Sequence, residues 1–167
     1  MHSPYPSTDA HGRCIFCGIA DGSIHTPGVF WEDEAFMAFL SLWPNTEGFS
    51  VVIPKAHYPS DVLAMPDDVL GRFVVAAKEV SGILMRHFED VGRVGMITEG
   101  TGVDHAHIKL VPMHGTGYMK QGLWRQHPST IETVYDTYPG YIASNEGKRV
   151  DDAAIARLAN RLKEMSS

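Results

Sequence analysis

Between residues 104 and 112 polar His105, His107 and Lys109 alternate with apolar Ala106, Ile108 and Leu110, and Pro112 closes the run. A period of two is that of a β-strand, so two imidazoles and an ammonium share one face while the apolar side chains enter a core. Near neutral pH an imidazole serves as nucleophile, general base or metal ligand, and an ammonium partners phosphate. The plain alternative is a half-buried strand with an incidental polar face.

The two cysteines stand together as Cys14-Ile15-Phe16-Cys17. In a reducing compartment such a pair is a metal or redox site sooner than a structural disulfide. A redox pair of the thioredoxin kind opens a helix after a strand. Here the pair follows a tail bearing Gly, Ser and Pro and precedes Gly18 and Gly22, so a zinc half-site is the better reading. His57 and His105, each at a predicted strand end, complete a two-sulfur, two-nitrogen set suited to tetrahedral zinc. Spacing alone does not show that the four meet. The glycine-bearing connection 99–103 lacks the Gly-Lys-Ser/Thr of a P-loop and offers a phosphate backbone N–H groups only. His114 and His127 read as surface, and His87 as a residue suited to a helix C-terminus.

The elements that must position these groups follow from periodicity and punctuation. Strands are predicted over 29–31, 35–40, 49–54 and 94–98, with the histidine-bearing run 104–112 as the fifth. The first two suggest a hairpin. One long helix is predicted from Pro66, with Asp67 and Asp68 in its first turn and Val69, Phe73, Val80, Ile83, Leu84 and Phe88 as its apolar stripe, to about residue 89. Strand pairs with a helix, rather than strict alternation, predict an α+β domain with a mainly antiparallel sheet. Residues 1–13 read as a flexible tail and 14–167 as a single domain. That domain includes a loop-rich extension over 113–150 and a terminal helix over 151–165, capped by Asp151-Asp152 with Ile155, Leu158 and Leu162 on one face. Residues 138–141 read as cover over the core.

With 167 residues, 44% apolar and 20% charged, the chain can bury one proper core. Its net charge of -6 argues against broad binding to nucleic acid or a membrane surface. The opening residues lack the basic start and apolar stretch of a secretory signal, and no apolar run reaches the length of a membrane span. A cytoplasmic protein is expected.

The collinear order of Cys14-Ile15-Phe16-Cys17, the hairpin 29–40, Gly48-Phe49-Ser50-Val51-Val52-Ile53-Pro54-Lys55-Ala56-His57 and His105-Ala106-His107-Ile108-Lys109 resembles the histidine-triad (HIT) superfamily of nucleotide hydrolases and transferases, over roughly residues 14–115. The resemblance implies a five-stranded, mainly antiparallel sheet with one long helix, paired into a homodimer. It implies structural zinc on Cys14, Cys17, His57 and His105. His107 is then the nucleophile on an α-phosphorus, and Lys109 stands where the family carries a third phosphate-contacting histidine. Nucleotide contacts fall on Phe39, Ser41, Leu42, Thr98, Gly102 and Lys109. Ser41 replaces a ribose-contacting Asp or Asn, and Thr98 an Asn.

The implied activity is hydrolysis at the α-phosphorus of dinucleoside polyphosphates or nucleoside phosphoramidates, through a nucleotidyl-histidine, with a purine nucleotide as substrate. The rivals are a nucleotidyltransferase or phosphorylase of the same superfamily and a nucleotide-binding regulator with little turnover.

Overall fold

The computed structural model describes residues 6–165, apart from the Lys163 side chain. Five strands form one sheet: β1 (Val29–Glu32), β2 (Phe36–Leu40), β3 (Ser50–Pro54), β4 (Val94–Ile97) and β5 (Ile108–Pro112), in the order β1-β2-β3-β5-β4. Each neighbouring pair is antiparallel. The helices are α1 (Ile15–Ala20), α2 (Asp67–His87) and α3 (Asp152–Glu164). The predicted α+β class and strand set are therefore what the chain adopts.

The runs in β2 and β3 are apolar, apart from a buried Ser50 whose hydroxyl donates to the Gly48 carbonyl, because both faces of the sheet are covered. Phe36, Ala38, Val52, Ile108 and Leu110 turn toward α2, which answers with Val69, Phe73, Ala76, Ala77, Val80 and Leu84 at helical spacing. Phe73 is fully buried, and its ring stacks on Phe36 with centroids 5.3 Å apart. Met37, Phe39, Val51 and Ile53 turn the other way, where Phe16, Ile19 and Ala20 of α1 pack on them. This second face carries the chemistry.

Pro66 stands at the N-cap of α2, one position earlier than the first helical turn its sequence suggested, with Asp67 and Asp68 following. The C-terminus is capped from a distance. Lys120 donates from Nζ to the carbonyls of Met85 (2.6 Å), Phe88 (2.8 Å) and Glu89 (3.2 Å), satisfying acceptors that a helix end leaves open.

One local expectation needs correction. The fifth strand begins at Ile108, so His105 and His107 lie in the segment that feeds it. The β3–β5 ladder stops at the Val52–Ile108 pair because Pro54 has no N–H to donate, and its carbonyl is taken by the His105 ring instead. The described part of the N-terminal segment forms a turn. Thr8 bridges Cys14, and the Asp9 carboxylate accepts from the N–H groups of His11 (2.8 Å) and Arg13 (2.9 Å). Residues 1–5 and 166–167 lie outside the described residues.

Contacts group the chain into two compact units, up to Trp124 and from Arg125 onward. The first unit includes a short 3-10 turn, Gly117–Gln121. In the second, Asp151 caps α3 by accepting from the Ala154 N–H at 3.0 Å. Ile155, Leu158 and Leu162 there are 53%, 47% and 54% exposed. Tyr138 and Tyr141 are also about half exposed, and Tyr141 shares a 2.6 Å hydroxyl bond with Tyr135. No described helix is long and apolar enough to cross a membrane.

Candidate metal and phosphate site

The cysteines occupy a short helix that the sequence reading did not anticipate. Cys14 is the N-cap of α1 and Cys17 lies three residues on, so both sulfurs emerge at the same end. His57 lies three residues beyond the end of β3. The loops carrying His57 and His105 are joined by two bonds, Ala106 N–H to the Tyr58 carbonyl (2.8 Å) and Ser60 N–H to the Asp104 carboxylate (2.9 Å). Gly100 permits this closure: its φ is +67°, and a Cβ there would sit 2.9 Å from the Ser60 carbonyl oxygen.

The result is that Cys14, Cys17, His57 and His105 bring one donor atom each within 4.8 Å of the others. His105 Nδ1 lies 3.5 Å from each sulfur, and His57 Nδ1 3.4 Å from that of Cys17. Tetrahedral bonds of about 2.3 Å to sulfur and about 2.0 Å to nitrogen would set such atoms roughly 3.5 Å apart. The donor set and its spacing both fit zinc. His105 also presents the correct nitrogen. Its Nε2 lies 2.9 Å from the Pro54 carbonyl, which can only accept, so the proton is on Nε2 and the lone pair is on Nδ1, facing the sulfurs.

The electrostatics agree with that arrangement. His105 is fully buried, and its pKa is lowered, first by burial and then by His57 and His107. The Cys17 thiol is pushed up to about 11 by burial, then by Cys14 beside it. The Cys17 sulfur therefore keeps its proton near neutrality until a cation replaces it. His57 is the exposed member of the set, and both sulfurs are half-buried.

His107 is 3% exposed, with its ring edge-on to Phe16 at 5.6 Å. Its Nδ1–H donates to the His105 carbonyl at 2.8 Å, which leaves the Nε2 lone pair pointing away. Burial, then the Lys109 charge, lower its pKa below the ordinary histidine value; the bond to His105 and Glu99 oppose this. The ring is thus neutral at physiological pH, with a lone pair free on Nε2.

Lys109 does not stand as an isolated ammonium: its Nζ pairs with the Glu99 carboxylate. In the sequence Glu99 reads only as the start of a glycine-bearing connection. The signal that finds it is register. Ile97 faces Lys109 across the β4–β5 ladder, so strand alternation carries Glu99, two residues on, to the same side.

The expected nucleotide contacts are less uniform. Phe39 is buried in the apolar cluster beneath Phe16, 5.6 Å between centroids. The Ser41 hydroxyl accepts from the Trp43 N–H (3.1 Å) within its own turn, and Leu42 is 59% exposed. Gly102 lies in an exposed loop at φ +91°. Thr98 Oγ1 is buried without a hydrogen-bond partner, and alternation places it with Met96, away from Lys109. His114 is a structural latch, its Nδ1 3.1 Å from the Asp90 carboxylate and its Nε2 donating to the Glu47 carbonyl at 3.1 Å. A groove of about 550 Å³ lies beside α2, among Asp33, Glu34, Asp67, Asp68 and Glu79. These five acids outnumber the one cation of the lining, Arg72, so the groove is ill-suited to phosphate, and it is on the other side of the sheet from His107.

An antiparallel sheet backed by one long helix, with paired histidines entering its fifth strand over a Cys/His cluster, defines an α+β protein of the histidine-triad kind. The HIT domain family model matches residues 25–116, and the chain belongs to that family. A HIT-like protein of Methanocaldococcus jannaschii is 34% identical over 60% of this chain and 79% of its own length. The adenosine 5'-monophosphoramidase hnt1 of Schizosaccharomyces pombe is 28% identical over 72% of this chain and 90% of its own. A solved structure from Streptococcus mutans shares the fold with a TM-score of 0.64, covering 100% of this chain and 92% of that one at 21% identity.

Proposed function

We propose that this chain is a nucleotide hydrolase acting at an α-phosphorus, with His107 as nucleophile. The observation that carries the reading is the His107 Nδ1–H bond to the His105 carbonyl, which sets the tautomer a nucleophile needs. His107 Nε2 bonds to phosphorus as the bond to the leaving group breaks, and the leaving group departs with a proton from water. The hydroxide so generated then attacks phosphorus, the P–N bond breaks, and a nucleoside monophosphate leaves with the imidazole restored. Lys109 and backbone N–H groups stabilise the negative charge on the non-bridging oxygens.

Purine phosphoramidates and dinucleoside polyphosphates are the substrate classes proposed, the former supported by the name of the fission-yeast relative. Zinc on Cys14, Cys17, His57 and His105 would be structural: four protein ligands leave no position for water, and the ion would pin the His105 segment to α1. A two-fold homodimer in the cytoplasm completes the proposal, the compartment supported by two free thiols at a metal-type spacing. The engagement of Lys109 by Glu99 favours a second reading, a nucleotide-binding protein with little turnover. A rapidly quenched reaction analysed by mass spectrometry decides between them. A nucleotidyl adduct on His107, absent in His107→Ala together with turnover, supports the hydrolase. Binding with no adduct and no product supports the regulator.

A further inference from the structure

Glu99 has no part in the mechanism above, yet it is the group that sets the charge beside the nucleophile. Its side chain is 9% exposed and that of Lys109 24%, so the pair is shielded from full solvent screening. Other cations that could draw a polyanion are also engaged: Lys55 with Glu32 at 2.8 Å, and Arg13 with Asp9 and Asp21.

We propose that Glu99 is a specificity-determining residue: by holding Lys109 in a neutral pair on the His107 face of the sheet, it selects nucleotidyl compounds of low charge, such as a phosphoramidate monoanion, over dinucleoside polyphosphates. An ammonium has three donors, so a singly charged phosphoryl group accepts from Lys109 without displacing Glu99. A tetraphosphate chain brings several negative charges toward the same carboxylate, and that repulsion grows with every charge added. The inference rests on the nucleotide reading of His107, but not on its being the nucleophile.

Binding separates the two. In a His107→Ala background, where turnover is removed, calorimetry with adenosine 5'-phosphoramidate and diadenosine tetraphosphate gives an affinity ratio. Glu99→Gln should shift that ratio toward the tetraphosphate by about tenfold at low salt, and less at high salt. Glu99→Asp, which keeps the charge, should leave the ratio near its starting value. Adding Lys109→Met to Glu99→Gln should remove the gain. An equal change for both ligands, a gain that survives Lys109→Met, or failure of both ligands to bind overturns the proposal. Failure of the hydrolase reading is seen elsewhere: His107→Ala with Glu99 intact would keep its turnover.

Discussion

His107 donates its Nδ1 proton to the backbone carbonyl of His105 at 2.8 Å, while the His105 ring donates to the Pro54 carbonyl at 2.9 Å. The two imidazoles are therefore set in series. Each spends one nitrogen on a carbonyl and presents the other, His105 toward the sulfurs and His107 toward the Lys109 side of the sheet. Movement of the His105 backbone would change both the geometry of the Cys/His cluster and the tautomer of His107.

Activity is expected to have an acid limb controlled by His107. Burial holds its pKa below the ordinary value of 6.5, so the imidazole stays neutral as pH falls past that point and protonates only lower. The rate should be flat near neutrality and fall on the acid side, below 6.5, in a pH profile of kcat/KM. The sign for stability is the same. The unfolded chain takes up this proton first, so the contribution is present above the unfolded value and is lost as pH falls through the folded one. A limb centred above the ordinary histidine value would contradict the assignment.

Metal removal should cost both folding and activity. Purified protein should carry about one zinc per chain, and chelation should lower the thermal midpoint and release two titratable thiols. Cys17→Ser should reproduce the loss, whereas His114→Gln should retain the metal. Metal analysis with thiol titration checks this, and metal-free protein of unchanged midpoint would remove zinc from the account.

Lys109→Ala should lower kcat by about a hundredfold, as expected for loss of one donor to a developing oxyanion. It also leaves the Glu99 carboxylate without that partner near His107, which should move the acid limb of the pH profile upward. Lys109→His should restore part of kcat. Steady-state kinetics of the three forms across pH provides the measurement, and a kcat unchanged in Lys109→Ala would show that the ammonium takes no part.

The fold itself should respond at two positions remote from the site. Phe73→Ala empties the centre of the α2–sheet core and should cost about 3–5 kcal/mol in urea unfolding. Lys120→Met removes the ammonium from three carbonyls at the end of α2 and should cost roughly 1 kcal/mol, with catalysis unaffected at temperatures where the chain is folded.

His114 should titrate above the ordinary histidine value, because its bonds to the Glu47 carbonyl and the Asp90 carboxylate both favour the charged ring. The stabilisation is fully present below the unfolded value and is lost as pH rises through the folded one. An NMR titration of the ring protons reads it directly, and a midpoint at or below the ordinary value would show that the latch is absent in solution.

Local order in the sequence was enough for the strands, the long helix and the types of donor, because these are written in short-range periodicity. The apolar stripe from Val69 to Leu84 and the apolar runs of β2 and β3 have one compact solution, a sheet covered on both faces. The histidine-bearing run was read as strand throughout, since alternation cannot reveal that Pro54 ends the ladder to β5 and gives its carbonyl to an imidazole. Nor could spacing show that sulfurs at 14 and 17 meet nitrogens at 57 and 105. That depends on Gly100 letting one loop approach another and on α1 laying Phe16 across the sheet. Above all, Lys109 in the sequence is a free positive charge, and in the folded chain it is half of an ion pair with Glu99. Residue types are local properties, whereas the charge a substrate meets is a sum over neighbours, and strand register decides which neighbours those are.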